Sequence, residues 1–260
     1  MTAVFFALLL SSVTFSALTL AVWGRHIGES AARYRVSWQP DGRAFSIWWL
    51  IYSTTFAAAL VGLALEADLR RATLFLWSGT WVLTSIWVLV FDNQRNLVPA
   101  ALVLLAAFGT SLAALFVERP WSSQSGEHIL LCAPLGVLSG WLFLASAVNL
   151  GSAMRCDDPD FGELPASNEY QLRVYEDAAR DSILARRRDA TYTQVTVVVV
   201  LALAGCCLAI AIPDPVFAAP LLWGAVLQRG FPRSVFLWAA LAIFAAGAAT
   251  AVVRVFVWEF

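Results

Sequence analysis

The chain has 260 residues, of which 60% are hydrophobic and only 13% are charged, with a formal net charge of −1. Its mean hydropathy is +0.72, whereas a soluble globular domain carries about 25% charged residues. These values exclude an ordinary soluble domain and leave no electrostatic case for binding nucleic acid.

Several apolar runs approach the ~20 residues that cross a hydrocarbon core. Only helices and closed barrels satisfy their backbone in that solvent, and the runs are far too long for barrel strands. The expected fold is all-α: a polytopic bundle of membrane-spanning helices. The first run, MTAVFFALLLSSVTFSALTLAVW, has no basic n-region and is longer than the 7–15-residue core of a signal peptide. It reads as a retained helix near 3–23.

The next stretch, WQPDGRAFSIWWLIY, brings a Pro-Asp-Gly turn directly into a span near 44–64. Trp and Tyr favour membrane interfaces, which accounts for Trp38, Trp49 and Tyr52 as a belt. A belt does not account for a cluster on one helical face. Trp48 and Tyr52 are four residues apart and Phe45 lies one turn earlier, so all three share a side. The third span, near 73–91, carries WSGTWVLTSIW and places Trp77, Trp81 and Thr84 on one face, with Trp87 one turn beyond. A fourth span is expected near 97–117. In the fifth, near 129–150, GWLFLASAVN puts Trp141, Ala145 and Asn149 at i, i+4 and i+8. A small residue between a ring and an amide leaves a notch. Three helices thus each offer an aromatic stripe containing a small or polar residue. Such stripes either pack on one another or wall a flat apolar ligand with Asn149 or Thr84 as its hydrogen-bonding handle; the pattern leaves both open.

Beyond the fifth span, residues 151–191 form the one sizeable hydrophilic stretch. Its start, RCDDPDFGELPASN, is linker-like. Asn168 with Gln171, and the pairs Glu169–Arg173 and Glu176–Arg180, then predict a helix running toward a sixth span. Further spans are expected near 192–212, 215–228 and 234–257, the second of them short and interrupted by Pro220. With eight spans, Arg residues divide 13 to 4 between the two faces. The rule that positive loops stay inside puts the richer face on the cytoplasmic side, or the matrix or stromal side of an organelle. If the seventh does not cross, the count becomes 12 to 5 and the orientation is kept, so the rule does not choose between seven and eight spans.

Catalytic and metal chemistry find no support. Cys132, Cys156, Cys206 and Cys207 form no C-x-x-C pair, and His26 and His128 are far apart, so no metal ligand set is expected. There are no paired carboxylates in a span, no nucleophile beside a base and no phosphate-binding loop. The chain reads as a non-enzyme.

In these segments the chain resembles the TspO/translocator protein family, the tryptophan-rich sensory proteins. That family has a Trp-x-Pro segment followed by Phe-x-x-Trp-x-x-x-Tyr in its second helix, which Trp38, Pro40, Phe45, Trp48 and Tyr52 match. Its fifth helix carries Pro, then Trp with Ala four and Asn eight residues later, matched by Pro134, Trp141, Ala145 and Asn149. Where the family's third helix carries Asn, this chain has Thr84, and Pro134 lies farther from Trp141 than in shorter members. The resemblance implies a five-helix core over 1–152, the hydrophilic loop at 153–191, and two or three appended helices over 192–260.

It further implies a receptor or carrier that binds a porphyrin or other tetrapyrrole, or a sterol, between its helices. The residues expected at that site are Trp38, Phe45, Trp48, Tyr52, Trp81, Thr84, Trp87, Trp141, Ala145 and Asn149. The alternative is an accessory subunit of a respiratory or photosynthetic membrane complex that keeps the fold. As a variant it would hold a pigment, with His26, His128 or Asn149 as axial ligand. The expected partners are the lipid bilayer and a hydrophobic small molecule. The small-residue stripe AAGAATA (245–251) permits close approach of another helix, and a homodimer or a larger complex stays open.

Overall fold

The computed structural model describes residues 2–24, 27, 31, 42–91, 97–119, 126–153, 219, 220 and 223. Five helices fill these stretches: α1 (Thr2–Trp23), α2 (Ile47–Ala64), α3 (Arg71–Phe91), α4 (Val98–Glu118) and α5 (Gly126–Ala153). A 3-10 turn, Gly42–Ser46, runs directly into α2. Each of the five, counting that turn with α2, is long and apolar enough to cross a membrane. The predicted spans agree to within a few residues. The loop at 153–191, its predicted helix and the sixth and eighth spans lie outside the described residues, as does most of the seventh.

Local chemistry sets the helix ends. Pro99 occupies the second position of α4, where its missing N–H has no partner to lose. The same helix stops at Arg119, which turns left-handed at φ 51° just before Pro120, and a proline cannot continue a helix. Inside the helices, hydroxyls bond back to their own carbonyls: Thr14 to Leu10, Ser78 to Leu74 and Ser85 to Trp81. This satisfies a polar group in a medium that offers no water.

The helices pack as a closed ring. α1 lies against α2 and α3, α3 against α4, α4 against α5, and α5 against α2. The ring order is therefore 1-2-5-4-3, and antiparallel neighbours in the chain need not be neighbours in the bundle. Phe6 of α1 seats directly over Gly62 of α2, and any Cβ at residue 62 would overlap its ring. Thr80 of α3 and Thr110 of α4 share a hydrogen bond of 3.0 Å. The outer surface carries Val4, Phe15, Leu18, Phe75, Leu102 and Leu130, all exposed, as a lipid-facing surface requires.

Adjacent tryptophans at the start of α2 show how the ring sorts side chains. Trp48 is 8% exposed and Trp49 81%. One turns into the bundle and the other toward lipid, because neighbouring positions on a helix are about 100° apart.

Candidate functional site

The interior of the ring is aromatic at the end where α2 begins and α3 and α5 finish. Phe45, presented by the 3-10 turn, meets Trp141 of α5 edge-on, with ring centroids 5.8 Å apart at 86°. Trp48, one turn into α2, meets the same indole at 6.3 Å and 84°. Trp48 also contacts Tyr52 at 5.8 Å, and Tyr52 lies 4.7 Å from Trp81 of α3. The rings of α2, α3 and α5 thus form one connected cluster rather than three separate stripes. Edge-to-face and tilted offsets are the arrangements that the ring quadrupoles favour.

Between these rings lies a cavity of about 30 Å³ lined by Phe45, Trp48, Trp87, Leu104, Trp141, Leu144, Ala145, Val148 and Asn149. Ala145 is in this lining with Trp141 and Asn149, the residues four before and four after it. A space of this size accepts a group of one or two water molecules, far below the ~300 Å³ at which small-molecule pockets begin. A tetrapyrrole would enter only after the walls separate.

The polar groups around the cavity differ from the sequence expectation. Asn149 is 6% exposed and its amide is occupied within the protein. Its Oδ1 accepts from the Trp87 indole N–H at 3.0 Å, and its Nδ2 donates to the Ala145 carbonyl at 2.9 Å. It ties α3 to α5 across the ring instead of facing the cavity with a free amide. Thr84 is buried, does not line the cavity, and donates its hydroxyl to the Thr80 carbonyl at 2.8 Å. In an apolar core a threonine takes the carbonyl four residues back when no other acceptor is near.

Among the described residues, the Trp77, Trp81 and Trp141 indole N–H groups and the Thr55 and Ser146 hydroxyls are buried without a hydrogen bond. Of these only Trp141 lines the cavity.

Of the ten residues expected at the site, Phe45, Trp48, Trp87, Trp141, Ala145 and Asn149 line one cavity. Tyr52 and Trp81 belong to the adjoining ring cluster, and Tyr52 shares a 2.9 Å hydrogen bond with Ser16 of α1. Trp38 lies outside the described residues. Leu104 of α4, with Leu144 and Val148 of α5, completes the wall without having been expected. Leu104 sits in AALVLLAAF, where almost every position is apolar and periodicity marks no inward face.

A second polar cluster sits at the opposite end of the bundle. Glu118, at the end of α4, has a side chain only 3% exposed. Its carboxylate accepts from the Arg70 backbone N–H at 3.1 Å and the Thr73 hydroxyl at 2.5 Å. His128, in the first turn of α5, stands with Nε2 3.4 Å from the other carboxylate oxygen. His128 therefore belongs to this cluster and not to the cavity, which removes it as an axial ligand there; His26 lies outside the described residues. The available signal was a carboxylate closing an apolar run at Glu118. Among the described residues, no three His, Cys, Asp or Glu side chains are grouped to hold a metal.

A family model described as TSPO-like protein matches residues 1–163, which takes in all five helices and the cavity. No curated protein and no solved structure matches the chain.

Proposed function

We propose that this chain, which belongs to the TSPO-like protein family, is an integral membrane receptor or carrier for a flat hydrophobic ligand of tetrapyrrole or sterol type. The observation that carries the reading is the cavity between α2, α3, α4 and α5, walled by four aromatic residues and notched at Ala145. Rings of this kind hold a flat apolar molecule through contact area and exclude water from it. The polar handle is the unpartnered Trp141 N–H, which suits a ligand carrying a hydrogen-bond acceptor such as a carboxylate or carbonyl. The Asn149 amide serves indirectly, by holding the Trp87 wall.

No step of bond making or breaking is assigned to these residues; the chemistry is binding and transfer. The same reading sets the Arg-rich loops on the cytoplasmic, matrix or stromal side, on the 13 to 4 bias.

The test is quenching of tryptophan fluorescence by protoporphyrin IX in purified protein. Wild type should show saturable quenching. Ala145→Phe, which fills the notch, should abolish the saturable component, and Trp141→Phe should weaken affinity roughly fivefold, the factor carried by one net hydrogen bond. Identical titrations for wild type and both variants would count against the reading.

A second reading is an accessory subunit of a larger membrane complex that keeps the fold. The small volume of the cavity and the internally satisfied Asn149 amide favour it. Migration on a native gel in mild detergent separates the two: a discrete small species supports the receptor, and co-migration with a respiratory or photosynthetic assembly supports the subunit.

A further inference from the structure

One contact reaches the cavity wall from far along the chain. The indole Nε1 of Trp223 donates to the Ala44 carbonyl at 3.0 Å, joining residues 179 positions apart. Trp223 lies beyond residues 1–163, the part that the family model matches, so this contact comes from outside the matched region. Ala44 is fully buried and sits within the 3-10 turn Gly42–Ser46, immediately before the cavity-lining Phe45.

We infer that Trp223 is a positioning residue that braces this turn, holds Phe45 against Trp141, and so sets how readily the cavity opens. Where it concerns ligand access, the inference rests on the receptor reading above; the brace itself does not.

The argument is one of relative stiffness. Every other residue lining the cavity lies within a regular α-helix packed in the ring. Phe45 alone is presented by a 3-10 turn, whose hydrogen bonds are poorer and whose runs are short. A cavity of about 30 Å³ must widen to admit anything larger than a water-sized group, and the turn is the wall that yields at least cost. A hydrogen bond to the peptide carbonyl beside Phe45 opposes that movement. In a setting where water competes poorly for the carbonyl, such a bond is retained. Trp223 is itself 42% exposed, but Pro220, three residues before it, is buried, so this segment does not rest on the surface by the indole alone. An interfacial anchor, the usual role of a half-exposed tryptophan, would need no bond to a buried carbonyl.

Two measurements on the full chain in lipid nanodiscs test this. In the first, hydrogen exchange is followed in the peptide covering 42–48, with a peptide from α3 as reference. Trp223→Phe keeps a ring and removes the donor. Exchange at 42–48 should accelerate roughly fivefold while α3 is unchanged, and Trp223→Ala should do at least as much. Unaltered exchange at 42–48 in both variants overturns the brace.

In the second, stopped-flow quenching by protoporphyrin IX should show a faster association rate in Trp223→Phe, because a larger share of molecules has the turn released. Faster exchange with an unchanged association rate overturns the link to access. Absence of saturable quenching in wild type and variant alike overturns the receptor reading, and the exchange measurement still decides the brace.

Discussion

Asn149 shows how a side chain placed on the right face can serve a different purpose from the one its position suggests. The i, i+4, i+8 spacing with Trp141 and Ala145 brings it to the cavity, but its amide is paired with the Trp87 indole and the Ala145 carbonyl. A free amide in an apolar bundle is costly, so a nearby donor on α3 takes it. Asn149→Ala should therefore lower stability by about 1 kcal/mol, the scale of a hydrogen bond between membrane helices, because it leaves the buried Trp87 N–H unpaired. Trp87→Phe in the Asn149→Ala background should then cost less than in wild type. Denaturant titrations of the four proteins in detergent measure this coupling, and strict additivity would show that the 3.0 Å contact contributes nothing. Periodicity was sufficient to put Phe45, Trp48, Trp141 and Asn149 on inward faces. It was silent on Leu104, because a continuously apolar segment has no polar side against which an inward side can be read.

At the scale of helices, the Glu118 cluster does at one end of the bundle what Asn149 does at the other. One carboxylate accepts from the N–H and hydroxyl at the start of α3 and faces His128 at the start of α5. An acceptor with negative charge is favoured at both helix starts, where N–H groups are unpaired and the dipole is positive. Glu118→Ala should destabilise the protein by about 2–3 kcal/mol, since it removes the charged acceptor from the buried Thr73 hydroxyl and the part-buried Arg70 N–H. Glu118→Gln, which retains an oxygen acceptor, should cost clearly less. The comparison is made by unfolding in detergent, and equal losses for the two variants would mean that packing, not the acceptor, is what Glu118 supplies. The cluster joins residues 45 to 48 positions apart, which is why no local pattern announced it. The helices themselves were legible to within a few residues, because their length and hydropathy answer to membrane thickness alone.

For the whole molecule, five alternating crossings would put residues 65–70 on one side of the membrane and residues 92–96 on the other. With the Arg-rich face inside, a cysteine placed at Arg95 in a chain freed of its native cysteines should react with a membrane-impermeant maleimide only from the cytoplasmic, matrix or stromal side. A cysteine at the exposed Glu66 should react only from the opposite side. The reverse labelling pattern would invert the orientation inferred from the 13 to 4 Arg bias. The closed ring, in order 1-2-5-4-3, explains why rings from α2, α3 and α5 can meet in one interior: α5 inserts beside α2, and α3 faces both across the bundle.

The amino-acid sequence by itself determined the five described membrane-spanning helices, their approximate limits and the aromatic character of three inward faces. Each of these follows from hydropathy or from spacing along a single helix. Only the tertiary structure decided that the rings join into one cluster around a cavity of about 30 Å³, that Asn149 and Thr84 satisfy their polar groups within the protein, and that Trp223 reaches the Ala44 carbonyl. Those outcomes depend on which helices become neighbours in the ring and on which donor lies nearest each acceptor. Such distances between separate segments have no counterpart in the local pattern of the chain.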